Sequence, residues 1–258
     1  MMTKILVNGE KIYAISEFYI ITDTVKTIRI PKEITCINNL YEVADMNTYG
    51  DTDEYYDAVN KMPAPIFKGK APVENIIVDS ANPYYASREG VLFTKNFIRL
   101  IYYPSGKTST KYVVPDTVKY ITNAAFAATV NLKSLTITPN VSDLGYYSVP
   151  RKGLEELRFI NKLLPRYDYY LGWTHAEDLS RVKYIPGLPN AVIYCIKDSK
   201  LYDIYSKLSY KYKELKILPN YEKTLIKDKG KWYLCYAGYK FPETTLVKFK
   251  DKWFYVVD

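Results

Sequence analysis

Few residues of this 258-residue chain have the types and spacing that catalysis requires. His175 is the single histidine, so any mechanism in which an imidazole activates a serine or cysteine would have to use it. No nucleophile-bearing motif such as GxSxG accompanies it, and the chain has no glycine-rich phosphate loop and no HExxH zinc motif. We therefore predict no catalytic residue and no cofactor, and we interpret His175 as a surface or structural residue.

The residues that could bind a metal ion occur in patterns that do not favour one. Cys36, Cys195 and Cys235 are far apart in the sequence and include no CxxC pair, which argues against a zinc knuckle and a disulfide framework. The acidic stretch at residues 51–57 suggests calcium, but it lacks the third acidic ligand, central glycine and terminal glutamate of a known calcium loop. We predict no metal site and interpret this stretch as a solvated insertion.

Aromatic side chains are the strongest candidates for binding. Tyrosine accounts for 28 of the 258 residues, a share that indicates many amphipathic aromatic surfaces. Near the end of the chain, Trp232, Tyr233, Trp253 and Tyr255 offer flat apolar faces with polar tips, which suit sugar rings or cationic ligands. Packing within the protein is the alternative for each of them. These four residues are the ligand-binding site that the sequence predicts.

The overall composition is that of an ordinary globular protein. Hydrophobic residues make up 48% and charged residues 25%, and no apolar run reaches the length of a membrane-spanning helix, so we predict no membrane span. The 36 basic and 28 acidic residues give a formal charge of +8, but the lysines are mostly scattered singly, which argues against a nucleic-acid partner. Polar residues at positions 8–11 interrupt the first twenty, so no export signal is visible.

A short apolar pattern recurs along the chain and indicates how the fold is built. It consists of an apolar residue, two further residues, a second apolar residue, one further residue and a third apolar residue. The copies are Val25/Ile28/Ile30, Val73/Ile76/Val78, Leu132/Leu135/Ile137, Leu154/Leu157/Phe159, Leu179/Val182/Tyr184 and Tyr212/Leu215/Ile217. The last two apolar residues of each copy have the spacing of side chains on one face of a strand.

Prolines and bulky aromatic residues occur at regular distances from these predicted strands. Pro31, for example, directly follows the first copy, and proline cannot continue a strand ladder. Phe67, Phe126 and Trp173 each precede the middle apolar residue of a copy by the same number of positions. We predict a β-rich solenoid with about 22 to 25 residues per coil, in which short parallel strands stack coil on coil about 4.8 Å apart. A mixed α/β domain with coincidental spacing is the alternative.

The ends of such a stack need caps, because the end coils expose apolar faces. We predict a β-hairpin cap over residues 1–21, turning at Asn8-Gly9. The solenoid covers residues 22–219, with insertions near 42–65 and 80–110 and a capping helix near 199–211 that begins after Asp198 or Ser199. Residues 220–258 form a β-hairpin extension with an internal repeat, because the pattern of residues 225–233 recurs 21 positions later.

Part of the chain resembles a known family, the BspA-type leucine-rich repeat proteins, including the interruption typical of that family. The matching segments are Asn82-Pro83-Tyr84-Tyr85, Gly90-Val91-Leu92-Phe93 and Leu100-Ile101-Tyr102-Tyr103-Pro104. The repeat pattern extends this resemblance over residues 22–219. The extension resembles the tryptophan-tyrosine hairpin repeats at the ends of bacterial surface proteins, some of which bind choline or glucan, although the leading Gly-Trp pair of those repeats is missing.

These resemblances imply a non-enzymatic recognition or adhesion protein that binds a protein or glycan through an extended repeat surface, in an extracellular or cell-surface setting. A structural or receptor-binding component of a phage virion or tail is the alternative, and it would need no secretion. A hydrolytic enzyme is the third option, and it would need a deep pocket that brings His175 close to a cysteine or carboxylate. The ligand, the oligomeric state and the solenoid face used are open at this point.

Overall fold

The protein's structure, a computed structural model, describes most of the chain beyond residue 72 and shorter segments before it. The described residues are 3–7, 10–15, 18–20, 25–37, 67–69, 72–122, 124–145, 148–150, 153–160, 166–167, 188–197, 199–207, 212–218, 223–236, 239–240, 245–249 and 252–256. Several predicted features lie outside them. These features are the turn at Asn8-Gly9, the acidic stretch at 51–57, Trp173, His175, the strand at 179–184 and the end of the capping helix at 208–211.

The described residues are β-rich and contain a single helix. The strands are β1 (Thr3–Val7), β2 (Glu10–Ile15), β3 (Phe18–Ile20), β4 (Thr27–Ile30), β5 (Ile34–Ile37), β6 (Phe67–Gly69), β7 (Asn75–Val78), β8 (Tyr85–Arg88), β9 (Val91–Thr94), β10 (Arg99–Tyr102), β11 (Lys111–Val113), β12 (Tyr120–Ile121), β13 (Ser134–Ile137), β14 (Asp143–Leu144), β15 (Glu156–Phe159), β16 (Arg166–Tyr167), β17 (Leu188–Cys195), β18 (Tyr212–Ile217), β19 (Lys223–Asp228), β20 (Lys231–Tyr236), β21 (Tyr239–Lys240), β22 (Thr245–Phe249) and β23 (Lys252–Val256). The helix is α1 (Lys200–Ser206).

Two sheets with parallel pairing form the centre of the fold. One has the order β16-β14-β12-β10-β9-β8 and the other the order β11-β13-β15-β17-β18, and from β10 to β17 the chain alternates between them. Tyr112 pairs with Leu135, and Leu135 pairs with Leu157, so the paired residues follow one another along the chain at nearly equal intervals. Each winding of the chain therefore adds one short parallel strand to each sheet, with a period close to the predicted one.

The main core lies between these two sheets. One sheet contributes Leu100, Ile121 and Leu144, and the other contributes Leu135 and Leu157. All five are nearly or fully buried, and burying one such side chain contributes about 1.5–3 kcal/mol. Because these residues are paired neighbours along the stack, each winding covers the apolar side of the one before it.

The apolar sequence pattern marks the strands of this structure at five of its six copies. The copies at 28–30, 76–78, 135–137, 157–159 and 215–217 lie in β4, β7, β13, β15 and β18. The middle apolar residue of each of these copies is buried or half-buried. The last apolar residue of the copy in β18, Ile217, is 44% exposed because β18 lies at the edge of its sheet. The sixth copy, at 179–184, lies outside the described residues, and in the described sheet Leu157 of β15 pairs with Ile193 of β17.

Two windings are longer than the others. Ile28 of β4 pairs with Ile76 of β7 across about twice the usual interval, which leaves room for the insertion predicted near residues 42–65. Leu157 pairs with Ile193 across an interval of intermediate length. The strand pairing is kept in both cases, and most of the extra residues lie outside the described ranges.

Proline turns and side-chain amides connect successive windings at the strand ends. The backbone N–H of Val118 donates to the carbonyl of Pro115 at 2.9 Å and closes the turn after β11. The Asn140 side chain donates to the carbonyl of Asp116 at 2.8 Å. The Asn131 side chain donates to the carbonyl of Lys107 at 3.1 Å, and the two asparagine bonds span the same sequence separation. These bonds satisfy turn carbonyls that no strand ladder reaches.

The sequence predicts equivalent settings for Phe67, Phe126 and Trp173, but Phe67 and Phe126 differ, and Trp173 lies outside the described residues. Phe126 is fully buried in the turn after β12 and stacks on Tyr103, with ring centroids 5.1 Å apart. Phe67 instead begins strand β6, where it pairs with Phe18 of β3. The two phenylalanines have different backbone settings because the segment at 67–69 forms a ladder with β3, whereas the alanine-rich segment at 124–128 forms a turn.

The ends of the stack and the extension have local structures of their own. Strands β1 and β2 pair antiparallel over five residue pairs. Helix α1 begins after Ser199, whose hydroxyl accepts a hydrogen bond from the backbone N–H of Tyr202, and it buries Leu201, Ile204 and Tyr205 against the main core. The hairpins β19–β20 and β22–β23 join in one sheet through a parallel contact between Trp232 and Val256.

Asn82 ties the first windings to the segment that resembles the family interruption. Its side chain is fully buried, and its amide group donates to the carbonyls of Pro31 and Ile34 at 3.0 and 2.9 Å. Its side-chain oxygen accepts from the backbone N–H groups of Tyr84 and Tyr85, both at 2.9 Å. This one side chain therefore connects the turn at residues 31–34 to the backbone of Tyr84 and Tyr85 through four hydrogen bonds.

We expect Asn82→Ala to lower the free energy of unfolding by about 2–4 kcal/mol, because it removes the side-chain partner of the buried Ile34 carbonyl and of the Tyr84 and Tyr85 N–H groups. Urea denaturation followed by circular dichroism measures the loss. Asn96→Ala is the matched control, since Asn96 also bonds its own turn but is exposed. Equal losses in the two variants would contradict the role assigned to Asn82.

Gly106 has a different constraint, a close approach between two backbone segments. Its N–H donates to the carbonyl of Val73 at 2.8 Å, and a Cβ atom at this position would lie 2.3 Å from the carbonyl oxygen of Pro72. We expect Gly106→Ala to cost about 2–3 kcal/mol through overpacking against rigid backbone. The midpoint of thermal unfolding of Gly106→Ala is compared with that of Gly230→Ala. At Gly230 φ is +82°, but no atom lies within 4 Å of the added carbon. A smaller loss at Gly106 than at Gly230 would contradict this explanation.

Candidate binding surface

The sheet β11-β13-β15-β17-β18 presents two rows of side chains on the face opposite the core. Strand alternation places every second residue on this face, and the parallel register aligns them from strand to strand. The first row is Lys111, Ser134, Glu156, Val192 and Glu214, and the second row is Val113, Thr136, Arg158, Tyr194 and Lys216. Because the strand ladder fixes each position, the rows form a flat, preorganised surface.

Glu156 and Arg158 form the polar centre of this surface. The Arg158 guanidinium contacts one Glu156 carboxylate oxygen through Nη2 at 2.9 Å and through Nε at 3.2 Å. The Ser134 hydroxyl donates to the same oxygen at 3.2 Å. Burial acts to raise the pKa of Glu156, but the hydrogen bonds and charge of Arg158, with Ser134, outweigh burial and hold the pKa below its ordinary value of 4.5.

Arg158 also stacks on an aromatic ring of the neighbouring strand. Its guanidinium carbon lies 4.5 Å from the ring centroid of Tyr194, a cation–π arrangement. On the edge strand, Lys216 pairs with Glu214 at 3.1 Å. Arginine and tyrosine are among the residue types that most often carry the energy of protein interfaces, and both are half-buried here with part of each side chain open to solvent.

The opposite sheet has a similar arginine–tyrosine pair on its outward face. Arg99 of β10 pairs with Tyr120 of β12, and the guanidinium carbon lies 5.0 Å from the tyrosine ring centroid. Asp143 of β14 follows in the same row. The strands at this position are only two residues long in β12 and β14, so this face is narrower than the face that carries Arg158.

The four aromatic residues that the sequence predicts as a site do not share one face of the extension sheet. Trp232 and Tyr233 are consecutive on β20 and point to opposite sides. Trp232 aligns with Val256, so Trp253 and Tyr255, at odd distances from Val256, lie on the same side as Tyr233. The structure therefore places Tyr233, Trp253 and Tyr255 on one side of the sheet and Trp232 on the other.

Trp232 is part of a small core rather than an open surface. It packs with Phe254 at 4.9 Å between ring centroids and joins a cluster with Ile160, Ile196 and Leu218. This cluster attaches the extension to the strand ends of the main stack. Trp232→Ala would therefore remove packing as well as any ligand contact, and it cannot test ligand binding by itself.

The other three aromatics are accessible, but their surroundings disfavour a cationic ligand. Trp253 is 66% exposed and Tyr255 is 60% exposed. The Lys240 ammonium lies 3.8 Å from the ring centroid of Tyr233 and already occupies that ring face, and it pairs with Asp228 at 2.7 Å. A second cation at Tyr233 would meet this ammonium, so a neutral ligand suits the face better than choline-like groups do.

The described residues offer little nucleophilic or metal-binding chemistry. Cys195 and Cys235 are free thiols and are buried, and burial raises the pKa of both, that of Cys195 to about 12. Within the described ranges no group of three histidine, cysteine or acidic residues could hold a metal ion. No helix among these residues is long and apolar enough to cross a membrane.

Sequence reasoning did not identify Glu156, Arg158 or Tyr194 as surface residues of interest. Arg158 lies between two apolar residues of the repeat pattern, so the pattern itself placed it on the outward face. The missing information was which residues of other windings align with it. The register supplies that alignment, because Arg158 pairs with Tyr194, which lies well beyond one repeat along the chain.

Comparison with known proteins gives two distant structural matches and no family assignment. No protein-family model matches the chain, and no curated protein matches it. The chain is similar to the crystal structure of a leucine-rich repeat protein from Eubacterium ventriosum, at 20% identity and a TM-score of 0.38, covering 80% of this chain and 55% of that one. It is also similar to the pneumococcal vaccine antigen PcpA, at 14% identity and a TM-score of 0.36, covering 78% and 59%. The chain thus spans little more than half of either protein.

The lowered pKa of Glu156 predicts a pH dependence of stability. A carboxyl group whose pKa is lower in the folded state stabilises the fold above its unfolded pKa, and this contribution is lost as the pH falls through the folded pKa. We expect the denaturation midpoint of Glu156→Gln to lie below that of the wild type at pH 6 and the two to converge well below pH 4.5. A difference that persists unchanged at the lowest pH would contradict the ion-pair explanation.

Proposed function

We propose that this chain is a leucine-rich-repeat solenoid that binds a macromolecular partner through an extended repeat surface and catalyses no reaction. The proposal includes the finer features that the sequence predicts, namely the β-hairpin cap, the capping helix and the hairpin extension. Its setting is extracellular or at a cell surface, in line with the family resemblance. The partner is a protein or a glycan, and its surface contacts several windings of the solenoid at once.

The outward face of β11-β13-β15-β17-β18 supports this proposal more than any other feature. Five aligned strands give two rows of side chains, and the rows contain a stacked Arg158–Tyr194 pair with Val113 and Val192 alongside. Val113 is 45% exposed, so apolar area is available in the same row, two strands away from Arg158. A polar rim around aromatic and arginine contacts is the usual composition of a protein interface.

The chemistry of the described residues is consistent with a protein that does not make or break bonds. A thiol is reactive as its thiolate, and the raised pKa of Cys195 and Cys235 keeps both protonated at neutral pH. Glu156 is held as a carboxylate by Arg158, so it is a poor general acid. His175, which any imidazole mechanism would need, lies outside the described residues.

A binding experiment with paired double variants tests this proposal. The labelled chain is screened on protein and glycan arrays, and each bound partner is then measured by biolayer interferometry. Because Tyr194 also packs against the cluster of Ile160, Ile196 and Leu218, the denaturation midpoint of the double variant is measured first to show that the chain stays folded. We expect Arg158→Ala with Tyr194→Ala to weaken binding at least about tenfold, because interface arginines and tyrosines commonly cost more than about 1 kcal/mol when truncated.

The opposite sheet provides the matched control. Arg99→Ala with Tyr120→Ala removes the same two residue types in the same stacked arrangement. We expect it to leave the affinity within about twofold of the wild type, with both double variants showing wild-type circular dichroism. Equal losses in the two double variants, or no partner on either array, would count against the proposal.

A further inference from the structure

Strand β18 is the last strand of the five-stranded parallel sheet, and among the described residues no strand pairs with its outer edge. The Leu218 N–H donates to the Cys195 carbonyl of β17 at 2.9 Å. In a parallel strand the N–H and C=O of one residue point to the same side, and neighbouring residues point to opposite sides. Every second residue before Leu218 therefore also faces β17. The N–H and C=O groups of the other three, Lys213, Leu215 and Ile217, point to the open edge.

The core side of this edge lacks the cover that the other strands have. Ile137 pairs with Phe159, and Cys195 pairs with Ile217, all on the core side of the sheet. The first three are fully buried, and each lies on a strand with a neighbour on both sides. Ile217 has a neighbouring strand on one side and is 44% exposed. A strand added along β18 would cover Ile217 as the others are covered.

The outward side of the edge carries two opposite charges. The Lys216 ammonium lies 3.1 Å from the Glu214 carboxylate, and the side chains are 44% and 51% exposed. Charged residues on an edge strand discourage pairing with strands that offer no matching charge. Opposite charges directly across from each other stabilise a strand pair. The edge therefore favours a strand with a basic residue beside Glu214 and an acidic residue beside Lys216.

The other edge of the sheet, β11, is less suited to pairing. It is three residues long, whereas β18 has six. The Val114 N–H donates to the Thr136 carbonyl, so only Lys111 and Val113 of β11 point to its open side. An added strand exchanges main-chain hydrogen bonds with each residue that points to it. The edge at β18 provides three such residues and the edge at β11 provides two.

We propose that β18 binds an extended peptide segment of a protein partner as a sixth, antiparallel strand of this sheet. The segment has apolar residues beside Leu215 and Ile217, an acidic residue beside Lys216 and a basic residue beside Glu214. Antiparallel pairing is the more stable arrangement per residue. Strand addition at an exposed edge obtains affinity from main-chain hydrogen bonds and specificity from alternate side chains. The formal charge of +8 disfavours a second copy of this chain as the occupant.

This inference deepens the proposed function and rests on it in one respect, namely that the macromolecular partner is a protein. The added strand lengthens both outward rows by one residue, beyond Glu214 and Lys216. It pairs with neither Arg158 nor Tyr194, because β18 lies between it and their strands. The two proposals can therefore be tested separately.

Two synthetic peptides of the same composition test the edge. They are Thr-Val-Glu-Val-Lys-Thr-Thr and the charge-exchanged Thr-Val-Lys-Val-Glu-Thr-Thr, each with a fluorescent label at one end and an amide at the other. In the antiparallel register the first peptide places its glutamate beside Lys216 and its lysine beside Glu214. By fluorescence anisotropy with the full chain, we expect the first peptide to bind at least about fivefold more tightly, because both cross-strand charge pairs are repulsive with the second.

Two sets of variants separate the edge from the rest of the surface. Glu214→Lys with Lys216→Glu exchanges the two charges and keeps the formal charge, and we expect it to reverse the preference between the peptides. Lys213→Pro removes an N–H that faces the open edge and should weaken the first peptide at least about fivefold. Val113→Pro makes the same change at the open side of β11 and should leave the affinity within about twofold. Circular dichroism shows that each variant stays folded.

Hydrogen exchange measured by NMR locates the bound peptide. We expect the first peptide to slow exchange at the N–H groups of Lys213, Leu215 and Ile217. Equal affinity for the two peptides, tighter binding of the second by the wild type, or unchanged exchange at these groups would overturn the proposal. Self-association of the chain alone that slows the same groups would assign the edge to a second copy and would overturn it too.

The double variant Arg158→Ala with Tyr194→Ala keeps the two proposals distinct. We expect it to retain the preference for the first peptide, because neither residue pairs with the added strand. Loss of that preference would contradict docking at the edge. If the array partner binds this double variant as tightly as the wild type while the peptide preference holds, the proposed function fails and the assignment of the edge stands.

Discussion

Parallel pairing between consecutive windings is the constraint on which the rest of the structure depends. The inner parallel strands β12, β13, β14, β15 and β17 each find hydrogen-bond partners in the winding before and the winding after. Their apolar sides face a core that no single winding can close. The register that results aligns side chains of distant sequence positions on the outward face. Arg158 meets Tyr194 for this reason, although nothing in their local sequence connects them.

Much of this arrangement can be predicted from the sequence, because side-chain alternation and proline placement are local signals. The apolar copies at 135–137 and 157–159 lie in paired parallel strands, as the pattern predicts. The hydroxyl of Ser199 caps a helix where a capping residue is expected. The internal repeat of the extension appears as two antiparallel hairpins. In each case the residues that determine the structure are within a few positions of one another.

The parts that the sequence does not predict depend on alignment between distant segments. The pairing of β15 with β17, for example, joins segments separated by more than one repeat, and the apolar pattern does not predict it. Trp232 and Trp253 occupy equivalent positions in their repeats, but the odd offset between β20 and β23 puts them on opposite sides. Local propensity carries no information about such offsets, because every register satisfies the same alternation within a strand.

The winding that joins Leu157 to Ile193 is more than half as long again as the winding that joins Leu135 to Leu157, and the ladder on both sides is continuous. The entropic cost of closing a flexible loop rises only with the logarithm of its length, so this enlargement costs on the order of 0.5 kcal/mol. In such a fold a single connection can be lengthened or exchanged while the strand pairing of the other windings stays the same. New contact loops can in this way be acquired during evolution on a scaffold that stays the same.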